Sequence, residues 1–308
     1  MTGALRARRF ELLVAAVAAS WGAIGLIVKH VSLDAAAVVT WRVSLAAVTV
    51  GAFALCGLRR PGRLAVPRGR RLAMLSVAAL LACHWWLYFL TIKLSTVTVA
   101  VVFAYLAPVV SAALATRLLG ERISRAVGIA LAAALAGTLL IVVDGTEGSA
   151  RIGPLAIVTG LGTALSYVGL TLRAKHVRAT VPALAFSFWE QAGVAAILGP
   201  VAVAGSGLVP RSGRELGYLL VLGVVLTGVA GTLWVVALGP VSVQRLAILS
   251  YLEPVSAAVL AAAVLGERLS PIGVAGGGLV VGAGLLAIGG DRDAAAERSA
   301  ATRAAPSA

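Results

Sequence analysis

Ten stretches of mainly apolar residues, each long enough to cross a bilayer and parted only by short turns, leave this chain little choice of fold. A hydrocarbon layer about 30 Å thick takes about 20 such residues per helix. The stretches run over 12–28, 35–57, 72–92, 96–119, 124–143, 152–172, 181–204, 216–236, 241–265 and 271–288. Every backbone N–H and C=O must be satisfied within such a segment, so each predicts a helix. The expected fold class is an all-α polytopic membrane protein with ten transmembrane helices. Composition agrees: of 308 residues, 60% are apolar and 12% charged, and mean hydropathy is +1.00. That charged share is about half of what a soluble surface needs. Disordered, collagen-like and disulfide-stapled classes are excluded too, since Cys56 and Cys83 are the only cysteines and both lie in apolar runs.

A net charge of +14 would suggest nucleic acid in a soluble protein. Here the basic residues cluster beside apolar stretches, where they orient a chain in a lipid bilayer, and no nucleic-acid partner is expected. The first stretch, behind Arg6, Arg8 and Arg9 and with small residues near Ala18 and Ser20, has the marks of a cleavable signal peptide.

An internal repeat argues against that reading. Shifted by 146 residues, the chain lays Tyr105, Leu106, Ala107, Pro108 and Val109 on Tyr251, Leu252, Glu253, Pro254 and Val255. The same shift lays Leu119, Gly120, Glu121, Arg122, Ile123 and Ser124 on Leu265, Gly266, Glu267, Arg268, Leu269 and Ser270. It also pairs Ser20 and Trp21 with Ser166 and Tyr167, and Lys29, His30 and Val31 with Lys175, His176 and Val177, so the first helix belongs to the fold. With two more residues inserted, Trp41 and Arg42 fall on Trp189 and Glu190. The expected organisation is a cytoplasmic N-terminus (1–10), a first five-helix repeat (11–145), a second (150–290) and a disordered cytoplasmic tail (291–308). Five is odd, so the second copy is expected to enter the membrane inverted. With the N-terminus inside, nineteen of the 26 Lys and Arg fall in inner segments against six in outer ones, the last being Arg42 within a helix. Both termini are therefore expected in the cytoplasm, with the chain in the cell membrane.

Two five-helix halves, each with Leu-Gly-Glu-Arg after its fourth helix, and Ser250, Tyr251, Leu252, Glu253 and Pro254 in sequence, closely resemble the EamA family of the drug/metabolite transporter superfamily. The resemblance covers residues 10 to 290. It implies ten helices, no cofactor, and export of amino acids, their derivatives, dyes or drugs, with sugar phosphates and nucleotide sugars handled elsewhere in the superfamily. The first copy departs from the pattern with Ala107 opposite Glu253, so a carboxylate role carries over to the second half only.

The turns at Gly120, Glu121 and Arg122, and at Gly266, Glu267 and Arg268, read first as structure. Glycine lets the chain reverse, Glu and Arg meet water or headgroups, and the next helix starts at Ser124 or Ser270. Polar groups inside the stretches carry more, because a charge at the bilayer centre costs about 2.5–3.5 kcal/mol even on the gentler scale. At 1.5 Å per residue, Arg42 lies about 10 Å below the outer surface and Glu190 about 13 Å above the inner one. They meet only if they lean toward each other; Arg42 can instead snorkel outward, whereas the shorter Glu190 snorkels poorly and is expected to face a cavity. Glu253 falls near the midplane, directly before Pro254, whose missing N–H leaves the carbonyl of Ser250 without its donor. Helix breaks are expected at Pro108 and Pro254, and Glu253 is the leading proton carrier. The competing reading of Glu253 is a hydrogen-bonded packing residue.

His84 also lies near mid-depth and is expected to bond a carbonyl or Glu253. No metal site is expected, since the other two histidines sit at opposite membrane ends. Trp85, Tyr88, Tyr105, Tyr167, Trp189, Trp234 and Tyr251 are candidate walls of an aromatic cavity, with packing or an interfacial belt as the plainer reading. Glycines 273, 277, 278 and 282 predict close packing of the tenth helix within the chain, with a homodimer contact as the alternative. No phosphate-binding loop, nucleophile constellation or zinc signature occurs, so an enzyme is not expected. The sequence therefore points to a secondary transporter that effluxes a small-molecule substrate by alternating access, driven by the proton gradient through Glu253, Glu190 or both. A facilitative exchanger and, further off, a membrane enzyme on lipid-linked substrates remain the alternatives.

Overall fold

The structure, a computed structural model, describes residues 3–56, 64–95, 97–120, 123–144, 153–205, 208–265 and 270–289. The expected turn residues Glu121, Arg122, Gly266, Glu267 and Arg268 and the tail 291–308 lie outside the described residues. Ten passages of helix follow in chain order. The first is α1 (Gly3–Trp21) continued by α2 (Ala23–Val28); then come α3 (Ala35–Cys56), α4 (Arg71–Leu94), α5 (Val97–Leu118), α6 (Arg125–Asp144), α7 (Pro154–Arg178) and α8 (Ala183–Ala204). The eighth passage is composite: α9 (Gly213–Leu220), a π-helical segment (Val221–Val229) and α10 (Ala230–Leu238). The ninth is α11 (Val243–Ser250) followed by α12 (Leu252–Leu265), and the tenth is α13 (Pro271–Gly289). Among the described residues, nine passages are long and apolar enough to span a membrane, and α13 is a shorter apolar tenth. At 19 residues α13 is about 28 Å long, close to the hydrocarbon thickness.

Helix starts are capped by the residues the sequence offers. Ser124 and Ser270, mates in the repeat, accept from the backbone N–H of Val127 (3.2 Å) and of Ile272 and Gly273 (3.1 and 3.2 Å). Asp34 does the same for α3 through Ala37 N (2.8 Å). Before α6, Gly120 sits at φ +68°, a conformation only glycine adopts without strain. The side chains are distributed for lipid: Val48, Phe53, Leu55, Leu72, Ile129 and Leu285 are exposed, whereas the interior is built largely from alanine and valine. Small interior residues let helices approach closely, which is how they associate where no water drives burial.

Between α6 and α13 that approach brings backbone against backbone. A Cβ on Gly137 would strike the carbonyl of Gly276, and one on Gly276 would strike the carbonyl of Gly137. The glycine contact of the tenth helix is thus centred on Gly276; Gly277 only grazes Val255, and around Gly278 and Gly282 there is open space. Spacing alone misjudged the glycine because α13 is apolar all round and carries no stripe to mark its packed side.

Helix contacts come in exchanged sets. The second passage packs on the seventh, the fourth on the ninth and the fifth on the tenth, each on its own mate. The third packs on the sixth as the eighth packs on the first, and the fourth touches the sixth as the ninth touches the first. The sets are unequal at their ends. On the face where α1 begins, here the N-terminal face, α7 closes on α10 and α11. Lys175 Nζ donates there to the carbonyls of Leu238 (2.8 Å), Gly239 (3.1 Å) and Val241. Arg178 donates to those of Val235 (3.1 Å) and Val181 (3.0 Å), and Arg245 pairs with Glu11. Beneath these ties lies the largest buried cluster, including Val14, Met74, Val77, Leu170, Val177, Phe186 and Leu249. On the opposite face the mate of this seam would join α2 to α4 and α5, and among the described residues that packing is sparser. Instead Glu215 holds the turn before α3, accepting from Ser32 Oγ (2.8 Å) and N, and from Arg211 N (2.6 Å).

Candidate functional site

The ninth passage is interrupted where the sequence concentrates polar groups. The N–H of Tyr251 reaches back to the carbonyls of Ile248 and Leu249, ending α11, and α12 opens with Leu252, Glu253 and Pro254. Two causes coincide: Pro254 offers no N–H to Ser250, and Tyr251 is anchored elsewhere. The fourth passage differs. The expected break at Pro108 does not occur, and α5 runs through it unbroken. One missing N–H is tolerated within a packed membrane helix, and Ala107, fully buried where the other half has Glu253, packs without demanding space.

Glu253 accepts a hydrogen bond from the Tyr105 hydroxyl, and its carboxylate lies within electrostatic reach of Arg42, Tyr88 and Tyr167. By surface exposure it is only half-buried, although it sits deep among protein atoms. Partial exposure so deep among protein atoms is what a group lining a recess shows. Tyr88, Tyr105, Tyr167 and Trp85 share this half-buried state around it. One wall is aromatic: Trp85 meets Tyr88 at 6.1 Å and Phe89 at 5.8 Å between ring centroids, and His84 stands 4.8 Å from Tyr167. His84 bonds the carbonyl of Thr163 through Nδ1 (3.1 Å) rather than Glu253.

Arg42 does not snorkel. It is 9% exposed, its Nε donates to Thr227 Oγ1 (3.1 Å), and its guanidinium lies 5.0 Å from the centre of the Trp85 ring. Nor does it pair with Glu190, which is buried on α8 and accepts from the side chain of Gln191 (3.3 Å). Thr227 belongs to the π-helical segment and donates in turn to the carbonyl of Leu222 (2.6 Å), five residues back. π-helical turns gather at functional positions, because they re-aim a side chain that a regular helix would turn aside.

Two expected cavity walls lie elsewhere. Tyr251 is fully buried, its hydroxyl on the carbonyl of Tyr105, so it pins two helices together rather than facing the recess. Trp189 is 47% exposed and donates its indole N–H to the carbonyl of Leu64 (2.8 Å). Its mate Trp41 makes the same contact with Leu208 (2.8 Å) on the opposite face. Trp234 packs on Trp21 with ring centroids 4.9 Å apart, while Trp21 Nε1 donates to Leu226 O (2.8 Å). The pairing of Trp21 with Tyr167 at 146 residues was the available signal for Trp21. Nothing in the sequence distinguishes Thr227 from other threonines in apolar helices.

The model of the EamA-like transporter family matches residues 8–143 and again 154–289. The chain belongs to this family. EamA proteins form part of the drug/metabolite transporter superfamily, and the family model matches this EamA-like chain twice, once in each half. It is 30% identical over 195 residues to the uncharacterized transporter YwfM of Bacillus subtilis (strain 168), over 63% of this chain and 65% of that protein. The chain thus matches a little under two thirds of that relative's length. A solved crystal structure of 19% identity superposes with a TM-score of 0.78 over 92% of this EamA-like chain and 97% of its own, a likeness of fold.

Proposed function

We propose that this protein is a secondary active transporter of the cell membrane. It exports small metabolites, such as amino acids or their derivatives, or amphiphilic drugs, by alternating access coupled to protons. The single observation carrying this reading is Glu253: a carboxylate at a mid-membrane helix interruption, held by Tyr105, near Arg42, and facing a recess. Opposite charges, phenols and aromatic faces in one recess suit a small ligand with polar and flat apolar parts.

The gates support the same reading. Ties at Lys175, Arg178 and the Glu11–Arg245 pair close the N-terminal face, whereas the mate seam between α2 and α4 is sparser among the described residues. Unequal mates are what two alternating states of an inverted repeat require, and the like contacts of Trp41 and Trp189 on opposite faces agree with inversion. The Lys and Arg distribution supports a cytoplasmic N-terminal face, and with it an outward-opening state.

The test is counterflow in proteoliposomes with candidate metabolites, followed by a pH jump across the membrane. Counterflow separates transport from catalysis, and acceleration by the pH jump separates proton coupling from plain exchange. Counterflow without any response to the jump would replace coupling by facilitative exchange.

A further inference from the structure

Arg42 is a buried cation whose surroundings satisfy only part of it. The guanidinium has five N–H donors, and a single hydrogen bond engages it, from Nε to Thr227. Its two terminal nitrogens make no hydrogen bond among the described residues, although the side chain is 9% exposed. Buried charge is retained where it is paired or where it serves a ligand. Glu253 lies within electrostatic reach but forms no ion pair with Arg42, and its carboxylate is engaged by Tyr105.

The surroundings fix the guanidinium rather than neutralise it. The hydroxyl hydrogen of Thr227 goes to Leu222 O, which leaves an oxygen lone pair directed at Nε. The π-helical segment can approach α3 closely because Gly223 has no side chain: a Cβ there would strike Leu45 and lie 3.2 Å from the carbonyl of Arg42. The Trp85 ring covers the cation from one side at 5.0 Å. What remains is the outer edge of a planar fork, two parallel N–H groups in the geometry that a carboxylate fills with both oxygens.

The geometry points to Arg42 as a carboxylate-binding subsite of the recess, taking the acid group of an organic acid whose flat apolar body lies against Trp85 and Tyr88. This inference rests on the transporter reading above and deepens it. A carboxylate chelated by Arg42 enters the field of Glu253, so one cation serves two anions and they compete. A ligand that also carries an ammonium group can set it against Glu253; a simple acid cannot. Aryl acids and aromatic amino acids therefore share the subsite and differ in their response to Glu253.

The full-length protein in lipid nanodiscs is titrated with 3-phenylpropionate, L-phenylalanine and 2-phenylethylamine, following heat by calorimetry and quenching of tryptophan fluorescence. Both acids are expected to bind saturably. Arg42→Lys, which keeps the charge but not the fork, weakens both by about ten-fold or more. Thr227→Val weakens them several-fold and Thr227→Ser restores them. Glu253→Gln tightens 3-phenylpropionate and weakens phenylalanine if the zwitterion uses both charges, and tightens both if only the acid group is read. Saturable binding of either acid that is unchanged in Arg42→Lys, or binding of the amine alone, overturns the subsite, as does failure of both acids to bind the folded wild-type protein. Binding with these dependences but no counterflow leaves the subsite standing and removes the transporter reading.

Discussion

Tyr251 donates its hydroxyl hydrogen to the main-chain carbonyl of Tyr105, 2.6 Å away, and the two residues are repeat mates 146 positions apart. Their rings also stack, with centroids 5.6 Å apart and planes at 30°. A residue that touches its own mate lies where the two halves meet. Only one partner of the pair gives up its helix, and the interruption falls at Tyr251 and not at Tyr105.

Tyr251→Phe keeps the stacked ring and removes the bond. The buried carbonyl of Tyr105 then has one partner fewer, and stability should fall by about 1 to 3 kcal/mol, seen as a lower midpoint of thermal unfolding in detergent. Tyr105→Phe removes a donor to Glu253 instead, so it should alter transport more than unfolding.

Glu253→Gln preserves shape and hydrogen bonding but cannot titrate. Uphill transport driven by a pH gradient should be lost while counterflow of the same substrate continues. Ala107→Glu in that background should not restore it, because α5 is unbroken there and lacks the recess that the interruption of the ninth passage opens. Uphill transport by Glu253→Gln with unchanged pH dependence would assign coupling to Glu190.

Lys175→Met removes three ties from the seam between α7 and the turn joining α10 to α11. In a background with Cys56 and Cys83 replaced by serine, a cysteine at Ala174, buried under that seam, should react faster with a polar maleimide applied from the N-terminal face. Unchanged labelling would show that the apolar cluster alone keeps this face shut.

Gly276→Ala and Gly278→Ala separate packing from helix propensity. Alanine favours a helix over glycine by up to about 1 kcal/mol at either position. At Gly276 the added methyl meets the carbonyl of Gly137, a clash of about 1 to 3 kcal/mol that should outweigh the gain. At Gly278 it meets open space, so the thermal midpoint should hold or rise.

The fold was legible because ten apolar stretches and a duplicated turn motif are long-range patterns that survive substitution. Charges in apolar runs, at Glu253, Glu190 and Arg42, were legible as candidates, since hydrocarbon makes such residues conspicuous. Facing was not legible. These helices are apolar nearly all round, so nothing in the sequence separates Trp85, which covers Arg42, from Trp189, which turns to Leu64, or Tyr88 from the buried Tyr251. Thr227 escaped for a related reason. In a regular helix its hydroxyl would bond four residues back, and only the π register turns it to Leu222 and Arg42.

The two indole contacts strap each half to the other: Trp41 of the first holds Leu208 of the second, and Trp189 of the second holds Leu64 of the first. Their consequence falls on biogenesis. Leu64 leaves the ribosome 125 residues before Trp189, and Trp41 waits 167 residues for Leu208. At about 5 to 20 residues per second, those delays are roughly 6 to 35 s. During that interval the first five helices sit in the membrane with the Leu64 carbonyl and the Trp41 indole N–H unclaimed by these partners, a window open to a quality-control protease or an insertion chaperone. Halves produced as two separate chains should each be short-lived alone and long-lived together.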